Sequence, residues 1–219
     1  MSSWVLEQRW PGRSRFAVRC WFPAVLAVRL DPPPDDDPAA IAAWETACVR
    51  EVRRGRPEAF NPLVAYYAPR IRAYLHRMVR HRQEAEDLTQ ETFLKAYRSL
   101  GRFDAGRSFR RWLYTIATNT GLNALRSRQR RGVAVDLELD ALPERGPVAP
   151  SAEKERLEAA LAGLAPRARQ LVTLHYHEGF TLAEAGAVLG IGEGAAKVAL
   201  CRARRQLREM MLQEADDGL

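Results

Sequence analysis

The sequence predicts an all-α chain: two small helical domains joined by a flexible linker, the C-terminal one a helix-turn-helix. Three observations predict this. From Ala39 onward apolar residues recur at helical spacing. β-Branched residues are scattered, without the alternation a strand requires. Two proline- and acid-bearing stretches, residues 31–38 and 132–150, break the helical pattern into blocks.

Residues 1–42 read as an extension, disordered or translated from upstream of the true start. Residues 20–28 (CWFPAVLAV), preceded by Arg13, Arg15 and Arg19, imitate a signal peptide, but nothing downstream looks secreted and no segment reaches the roughly 20 apolar residues of a membrane span. The run DPPPDDDP at 31–38 can form neither helix nor strand interior. A first helix is expected over 39–54, ended by Gly55-Arg56-Pro57. Phe60, Leu63, Val64, Tyr67, Ile71, Leu75 and Met78 mark a second, long amphipathic helix. Pro62 suits its first turn, and Pro69 should kink or divide it.

AEDLTQETFLKAYRSL, residues 85–100, forms a third helix closed by Gly101. After the loop GRFDAGRS comes FRRWLYTIATNTGLNALRSRQRR, residues 109–131. Phe109, Leu113, Ile116, Ala117 and Ala124 supply its apolar stripe. Beside the stripe stand Trp112 and Tyr114, then Asn119 and Asn123 one turn apart, and four of its last six residues are arginine. Residues 43–131 are therefore expected to form the first domain, and 132–152, with DLELDALPE, an acidic flexible linker.

The second domain is expected over 153–215. Ser151 is a plausible N-cap and Pro166 fits the first position of a helix running to Gly179. Thr181 and Glu184 have capping-box spacing, the glycine-bearing turn 190–194 follows, and a long helix closes the chain. Ala196, Ala199, Leu200, Ala203, Leu207 and Met210 face one way along it, and Lys197, Cys201, Arg204, Arg205 and Arg208 another. Short helix, tight turn and long basic helix suit a DNA major groove. Gly186, inside the short helix, costs about 1 kcal/mol relative to alanine.

Composition agrees. Hydrophobic residues make up 47% of 219, enough for a core, and the net charge is +7 with arginine in excess, which favours an anionic partner. Three widely spaced cysteines make no disulfide framework. Aromatics beside amides beside arginines are a chemistry for unstacked bases and backbone, since stacking on an aromatic ring contributes about 1–3 kcal/mol per base and arginine neutralises phosphate. His175 and His177 project roughly 200° apart on a helix and lack further ligands, so no metal site is expected. No nucleophile–base pair or phosphate-cradling loop is present, so neither an enzyme nor a cofactor is expected.

The segments AEDLTQETFLKAY, FRRWLYTIATNTGLNALR with its basic tail, and the C-terminal helix-turn-helix ending RARRQL, in this order, resemble bacterial sigma factors. The resemblance is to the sigma-70 family, in its small extracytoplasmic-function (ECF, group 4) class, and covers about residues 43–215. It implies a factor that binds core RNA polymerase and directs promoter-specific initiation, melting the −10 element with region 2 and reading the −35 element with region 4. Asp87, Gln90, Glu91, Phe93, Leu94 and Tyr97 then match the polymerase-binding positions. Arg107, Phe109, Arg111, Trp112, Asn119, Asn123, Arg126, Arg128, Arg130 and Arg131 match the −10 surface. Lys197, Cys201, Arg202, Arg204 and Arg205 match the −35 surface.

The implied partners are core polymerase, through the largest subunit's clamp helices and through the flap, promoter DNA, and an anti-sigma factor. No membrane insertion is implied and the workplace is cytoplasmic. In the family the linker threads the polymerase, where Asp136, Glu138 and Asp140 would mimic nucleic-acid charge. The helix-turn-helix departs from the family pattern: Glu184-Ala185-Gly186 stands for Glu-Ile-Ala, and residues 194–199 (GAAKVA) for Gly-Thr-Val-Lys-Ser-Arg. Weaker or altered −35 reading is expected. Two other classes stay open at this point, an operator-binding regulator and an accessory protein that binds polymerase or RNA without selecting promoters.

Overall fold

Asp37 caps the first of the described helices. Its Oδ1 accepts the backbone N–H groups of Ala39 and Ala40, both at 3.0 Å, and Pro38 supplies a helical φ at the first position. Helix α1 (Pro38–Arg53) thus begins inside the acidic proline run that looked incapable of helix: a proline is harmless where its missing N–H would have had no partner. The computed structural model describes residues 31–33, 37–131 and 152–216. The signal-peptide-like stretch, the linker with Asp136, Glu138 and Asp140, and Asp35 and Asp36 lie outside the described residues.

Gly55, at φ +86°, ends α1 in a conformation that favours glycine. A 3₁₀ turn (Pro57–Phe60) leads into α2 (Asn61–Val79). The expected break at Pro69 does not occur. Pro69 and Ala65, whose carbonyl the ring deprives of a donor, both lie on the exposed side, where water can serve that carbonyl. Left-handed Arg80 (φ 55°) closes α2. Helix α3 (Arg82–Ser99) begins earlier than its apolar pattern, because His81 Nδ1 accepts the N–H of Glu84 at 3.2 Å and caps it. A 3₁₀ turn (Leu100–Arg102) and a short loop follow. Helix α4 (Phe109–Arg130) is capped by Ser108 Oγ, which accepts from Arg111 N at 3.2 Å.

These helices bury one apolar mass that includes Leu63, Tyr67, Ile71, Leu75, Phe93, Phe109 and Leu113. Each large side chain fully buried in it is worth about 1.5–3 kcal/mol. Buried hydroxyls bond their own helix: Thr89 to the carbonyl of Ala85 at 2.6 Å, Thr92 to Leu88 at 2.7 Å and Thr118 to Tyr114 at 2.7 Å. Gly121 sits where α2 crosses α4. A β-carbon there would lie 2.1 Å from Met78 Cε and 3.1 Å from Leu75 Cδ2.

In the C-terminal half come α5 (Ala152–Gly163), α6 (Pro166–Val172), α7 (Leu182–Leu189) and α8 (Glu193–Asp216). The expected helix toward Gly179 runs on past Val172 but changes its pitch there. A π turn (Thr173–His177) follows, in which Glu178 N reaches back five residues to Thr173 O at 3.1 Å. The wider turn carries the chain to left-handed Gly179 and brings His175 Nδ1 to 2.9 Å from the carbonyl of Phe180. The expected capping box is present: Thr181 Oγ1 accepts Glu184 N at 3.3 Å, and Glu184 Oε2 accepts Thr181 N at 2.9 Å.

Gly186 is needed for close approach. A β-carbon there would sit 2.9 Å from the carbonyl oxygen of Ile191 and 3.3 Å from Ala196 Cβ, so the residue that weakens α7 lets the turn fold tightly onto α8. The two helical groups are also in contact. Helix α7 lies on α4 and α6 on α2, and a continuous buried cluster runs from one group into the other.

Candidate polymerase and promoter interfaces

On α3 the residues Asp87, Gln90, Glu91 and Leu94 are exposed at the i, i+3, i+4, i+7 spacing of one helix face. Leu94 is 56% exposed and Tyr97 44%, large apolar surface for a helix that already packs its other side on α2 and α4. Phe93 is elsewhere. It is buried, its ring 6.4 Å from that of Phe60, so it supports this face from below. Tyr97 leans on the same Phe60 ring at 5.3 Å. Lys95 pairs with Glu91 at 2.7 Å and donates to Thr120 Oγ1 at 3.2 Å, tying the face to α4.

The loop before α4 is held from beneath by α1. Arg53 donates to the carbonyl of Leu100, at 3.1 Å from Nη2, and to that of Phe103. Glu45, deep on the buried side of α1, accepts the Tyr67 hydroxyl and the backbone N–H groups of Phe109 and Arg110. A carboxylate there complements the positive start of α4. Burial nevertheless raises its pKa above the usual carboxylate value, the hydrogen bonds and Arg110 offsetting only part of the desolvation. Neither residue was singled out from the sequence. The available signal was that Glu45 falls beside Trp44 and one turn before Cys48 and Val49, on the face that must be apolar.

Within the loop, Asp104 Oδ1 accepts Gly106 N at 3.0 Å and Oδ2 lies 3.3 Å from Arg107 Nε, leaving Arg107 on the surface. Along α4 the expected −10 residues separate into three groups. Arg111, Asn119, Asn123, Arg126 and Arg130 form an outward stripe, with Arg126 Nη1 3.4 Å from Asn123 Oδ1, and Arg131 is exposed just beyond. Trp112 is half-buried on a small aromatic platform, its ring 4.8 Å from Phe103 and 5.6 Å from Phe109. Phe109 is buried and braces that platform.

Two readings of α4 require correction. Arg128 is nearly covered and faces Glu84 at 3.5 Å, because position 128 points back across α3 rather than outward. Tyr114, read as a stacking aromatic beside Trp112, is wholly buried: residues 112 and 114 lie roughly 200° apart around a helix, so they cannot serve one face.

On α8, Lys197, Cys201, Arg202, Arg204 and Arg205 are all exposed, and the inward side is the small-residue seam of Ala196, Leu200 and Ala203. Arg205 Nε lies 3.8 Å from Glu209, and Val198 adds an exposed apolar side chain to the same surface. The sequence did not disclose a groove of about 610 Å³ along α8, which shares Arg204 with this surface. Leu157, Leu161, Tyr176, Leu207, Met211 and Leu212 line it, and Arg156, Arg204 and Arg208 rim it. Among the described residues no helix is long and apolar enough to cross a membrane.

Comparison with known proteins gives these surfaces a common context. The family described as Sigma-70 region 2 matches residues 63–131, which hold the α3 and α4 stripes, and Sigma-70, region 4 matches residues 154–207, which hold the helix-turn-helix. The chain is 40% identical over 162 residues to the RNA polymerase sigma factor CarQ of Myxococcus xanthus, covering 73% of this chain and 92% of that protein. It is 30% identical over 190 residues to the ECF RNA polymerase sigma factor SigE of Mycolicibacterium smegmatis, covering 84% and 72%. Among solved structures, CnrH in complex with the cytosolic domain of CnrY superposes with a TM-score of 0.60 at 26% identity, over 78% of this chain and 97% of that one. Sigma factor RpoE in complex with the anti-sigma factor NepR from Bartonella quintana gives 0.57 at 27% identity, over 69% and 96%. Matches over both helical groups, in the order and at the surfaces described, leave one conclusion: the chain belongs to the sigma-70 family of RNA polymerase sigma factors, in its ECF class.

Proposed function

We propose that the chain binds core RNA polymerase and directs promoter-specific initiation, with residues 43–131 as the polymerase- and −10-binding domain, 132–152 as linker and 153–215 as the −35-binding domain. The observation that carries the reading is the division of labour over α3, α4 and α8. One exposed apolar and acidic face, one amide and arginine stripe, and one basic recognition face occupy three separate surfaces.

The α3 face, centred on Leu94 and Tyr97 with Asp87, Gln90 and Glu91 around them, takes the clamp helices of the largest subunit. Asn119 and Asn123 present a donor and an acceptor each to a base edge, and Arg126, Arg130 and Arg131 meet phosphates. Trp112 borders the melted strand. On α8, Lys197, Arg202, Arg204 and Arg205 reach the −35 duplex, with Cys201 at the interface. The arginine-rimmed groove beneath α8 suits an apolar helix such as that of the polymerase flap. The chain acts in the cytoplasm, without catalysis of its own, and under an anti-sigma protein; one of the solved relatives above is a complex with an anti-sigma factor.

Reconstituted transcription tests this. The protein is mixed with core polymerase and genomic fragments, and transcript 5′ ends are mapped. Discrete starts preceded by a shared pair of sequence boxes are expected. Tight duplex binding without initiation would instead identify an operator-binding regulator.

A further inference from the structure

Among the described residues, the large apolar side chains left exposed belong to surfaces already assigned, with one exception. Leu94 and Tyr97 lie on the α3 face, and Leu157, Tyr176 and Leu212 line the groove along α8. Val198 belongs to neither and is 51% exposed. A single apolar residue on a surface needs no explanation of its own. Its place on α8 is what gives it one.

Helix α8 packs inward through Ala196, Leu200 and Ala203, all buried. At 100° per residue, Val198 points roughly 170° away from the mean direction of those three. It therefore stands on the crest of the outward face, the line that reaches deepest when a helix enters a major groove. Gly194, one turn earlier on the same crest, is exposed and has no side chain to hold the helix off. Lys197, Cys201 and Arg202 are exposed around Val198 and give the crest a cationic border suited to phosphate.

A recognition helix reads base edges with its N-terminal residues. From Glu193 to Cys201 the strong hydrogen-bonding side chains are those of Glu193 and Lys197. The arginines begin at 202, and Arg205, the next large side chain on the crest, has its Nε 3.8 Å from Glu209. Val198 also stands where the family pattern has serine, so two methyl groups replace a hydroxyl that could bond a base edge. The apolar group that a base pair displays in the major groove is the C5-methyl of thymine. Valine is stiff about χ1, so its methyl groups are aimed before DNA arrives.

We propose that Val198 is a specificity-determining residue that reads the C5-methyl of a thymine in the −35 box, with Lys197 and Arg202 on the flanking phosphates. That role rests on the −35 function proposed above and adds the chemical group that is read.

The probe is the −35 box obtained by mapping transcript starts. Synthetic promoter duplexes carry it with each thymine, on either strand, replaced in turn by deoxyuridine, which lacks only the C5-methyl. Full-length protein assembled with core polymerase is titrated against each duplex. One replacement should weaken wild-type binding about fourfold, the effect of one methyl-sized group withdrawn from an apolar contact. Val198→Ala should bind the thymine and deoxyuridine versions at that position equally, and Val198→Thr, which keeps one methyl, should retain part of the difference. A merely structural role would lower the affinity of Val198→Ala for every duplex and leave the thymine-to-deoxyuridine ratio unchanged, which would overturn the assignment. A box without thymine, or one whose deoxyuridine versions all bind like the original, would overturn it too while the −35 function stands. Transcript starts that share no second upstream box would remove the −35 function, and the role of Val198 with it.

Discussion

The carboxylate of Glu45 accepts the backbone N–H of Phe109, so a side chain of α1 caps the helix that carries the amide and arginine stripe. The Tyr67 hydroxyl and the N–H of Arg110 complete the arrangement. Replacing Glu45 by alanine would leave three buried donors without an acceptor.

Glu45→Ala should therefore cost about 1–3 kcal/mol of stability, and Glu45→Gln much less, since an amide oxygen can still accept. The pH dependence has a definite sign. Burial raises the carboxyl pKa in the folded chain above its unfolded value, with Tyr67, Arg110 and Cys48 as the groups around it. Its contribution is thus largest below the ordinary carboxylate range and declines as pH rises through the raised value. Denaturant midpoints measured across that range should fall for wild type, and the Glu45→Gln midpoints should fall less steeply. Parallel slopes for the two proteins would refute the assignment.

Gly186→Ala sets two effects against each other. Helix propensity favours alanine by about 1 kcal/mol, but the added methyl meets the Ile191 carbonyl oxygen at 2.9 Å, and backbone cannot swing aside as a flexible side chain can. Strain of about 1–3 kcal/mol should win. Thermal denaturation should show a lowered Tm, whereas a raised one would mean that the turn has room.

Arg126 and Arg130 face outward and Arg128 faces Glu84. Arg126→Ala should weaken promoter binding nearly equally across sequences and lower the salt slope by about one, with stability within about 0.5 kcal/mol of wild type. Arg128→Ala should do the reverse, costing stability while leaving the salt slope intact. Equal slopes for both variants would show that the orientation of the two side chains does not matter to DNA.

Leu94→Glu puts a charge at the centre of the exposed α3 face without disturbing the core beneath it. Affinity for core polymerase should drop at least tenfold, about 1.4 kcal/mol, while circular dichroism stays unchanged. A titration of labelled core enzyme that gives the wild-type Kd would remove this face from the interface.

Ala199→Arg restores a basic side chain to the start of the recognition helix, at a half-buried position beside the exposed Val198. Duplex carrying the −35 box should bind more tightly than to wild type. Unchanged binding would mean that Lys197, Arg202, Arg204 and Arg205 already supply what this surface uses.

Helical periodicity made the architecture legible because it depends only on local spacing: the apolar stripes of α2, α4 and α8, the capping box at Thr181 and the glycine turn at 190 all follow from neighbours a few residues apart. Exposed site residues were legible for the same reason, since a stripe such as Asn119, Asn123, Arg126 and Arg130 is visible in one helix alone. Long-range contacts hid the rest. Phe93, Arg128 and Tyr114 have surface-compatible patterns, and only their partners elsewhere in the chain (Phe60, Glu84, Glu178) show them turned inward. Gly186 reads as a defect until Ile191 and Ala196 fold over it, and Pro69 reads as a break until its side of α2 proves to face water. Arg53 resembles an ordinary helix surface charge, Glu45 stands out only by falling on the apolar face of α1, and nothing within 40 residues of either announces the loop that they hold.

The match to the region 2 family model begins at residue 63, whereas the cap and the staple of the loop come from residues 45 and 53. A fragment cut at residue 63 would retain every side chain assigned to polymerase or promoter, yet lose the two that fix where the α4 start and its loop sit. Such a fragment should express as a helical protein and fail as a DNA ligand. The first helix is the jig on which the promoter-reading surface is assembled.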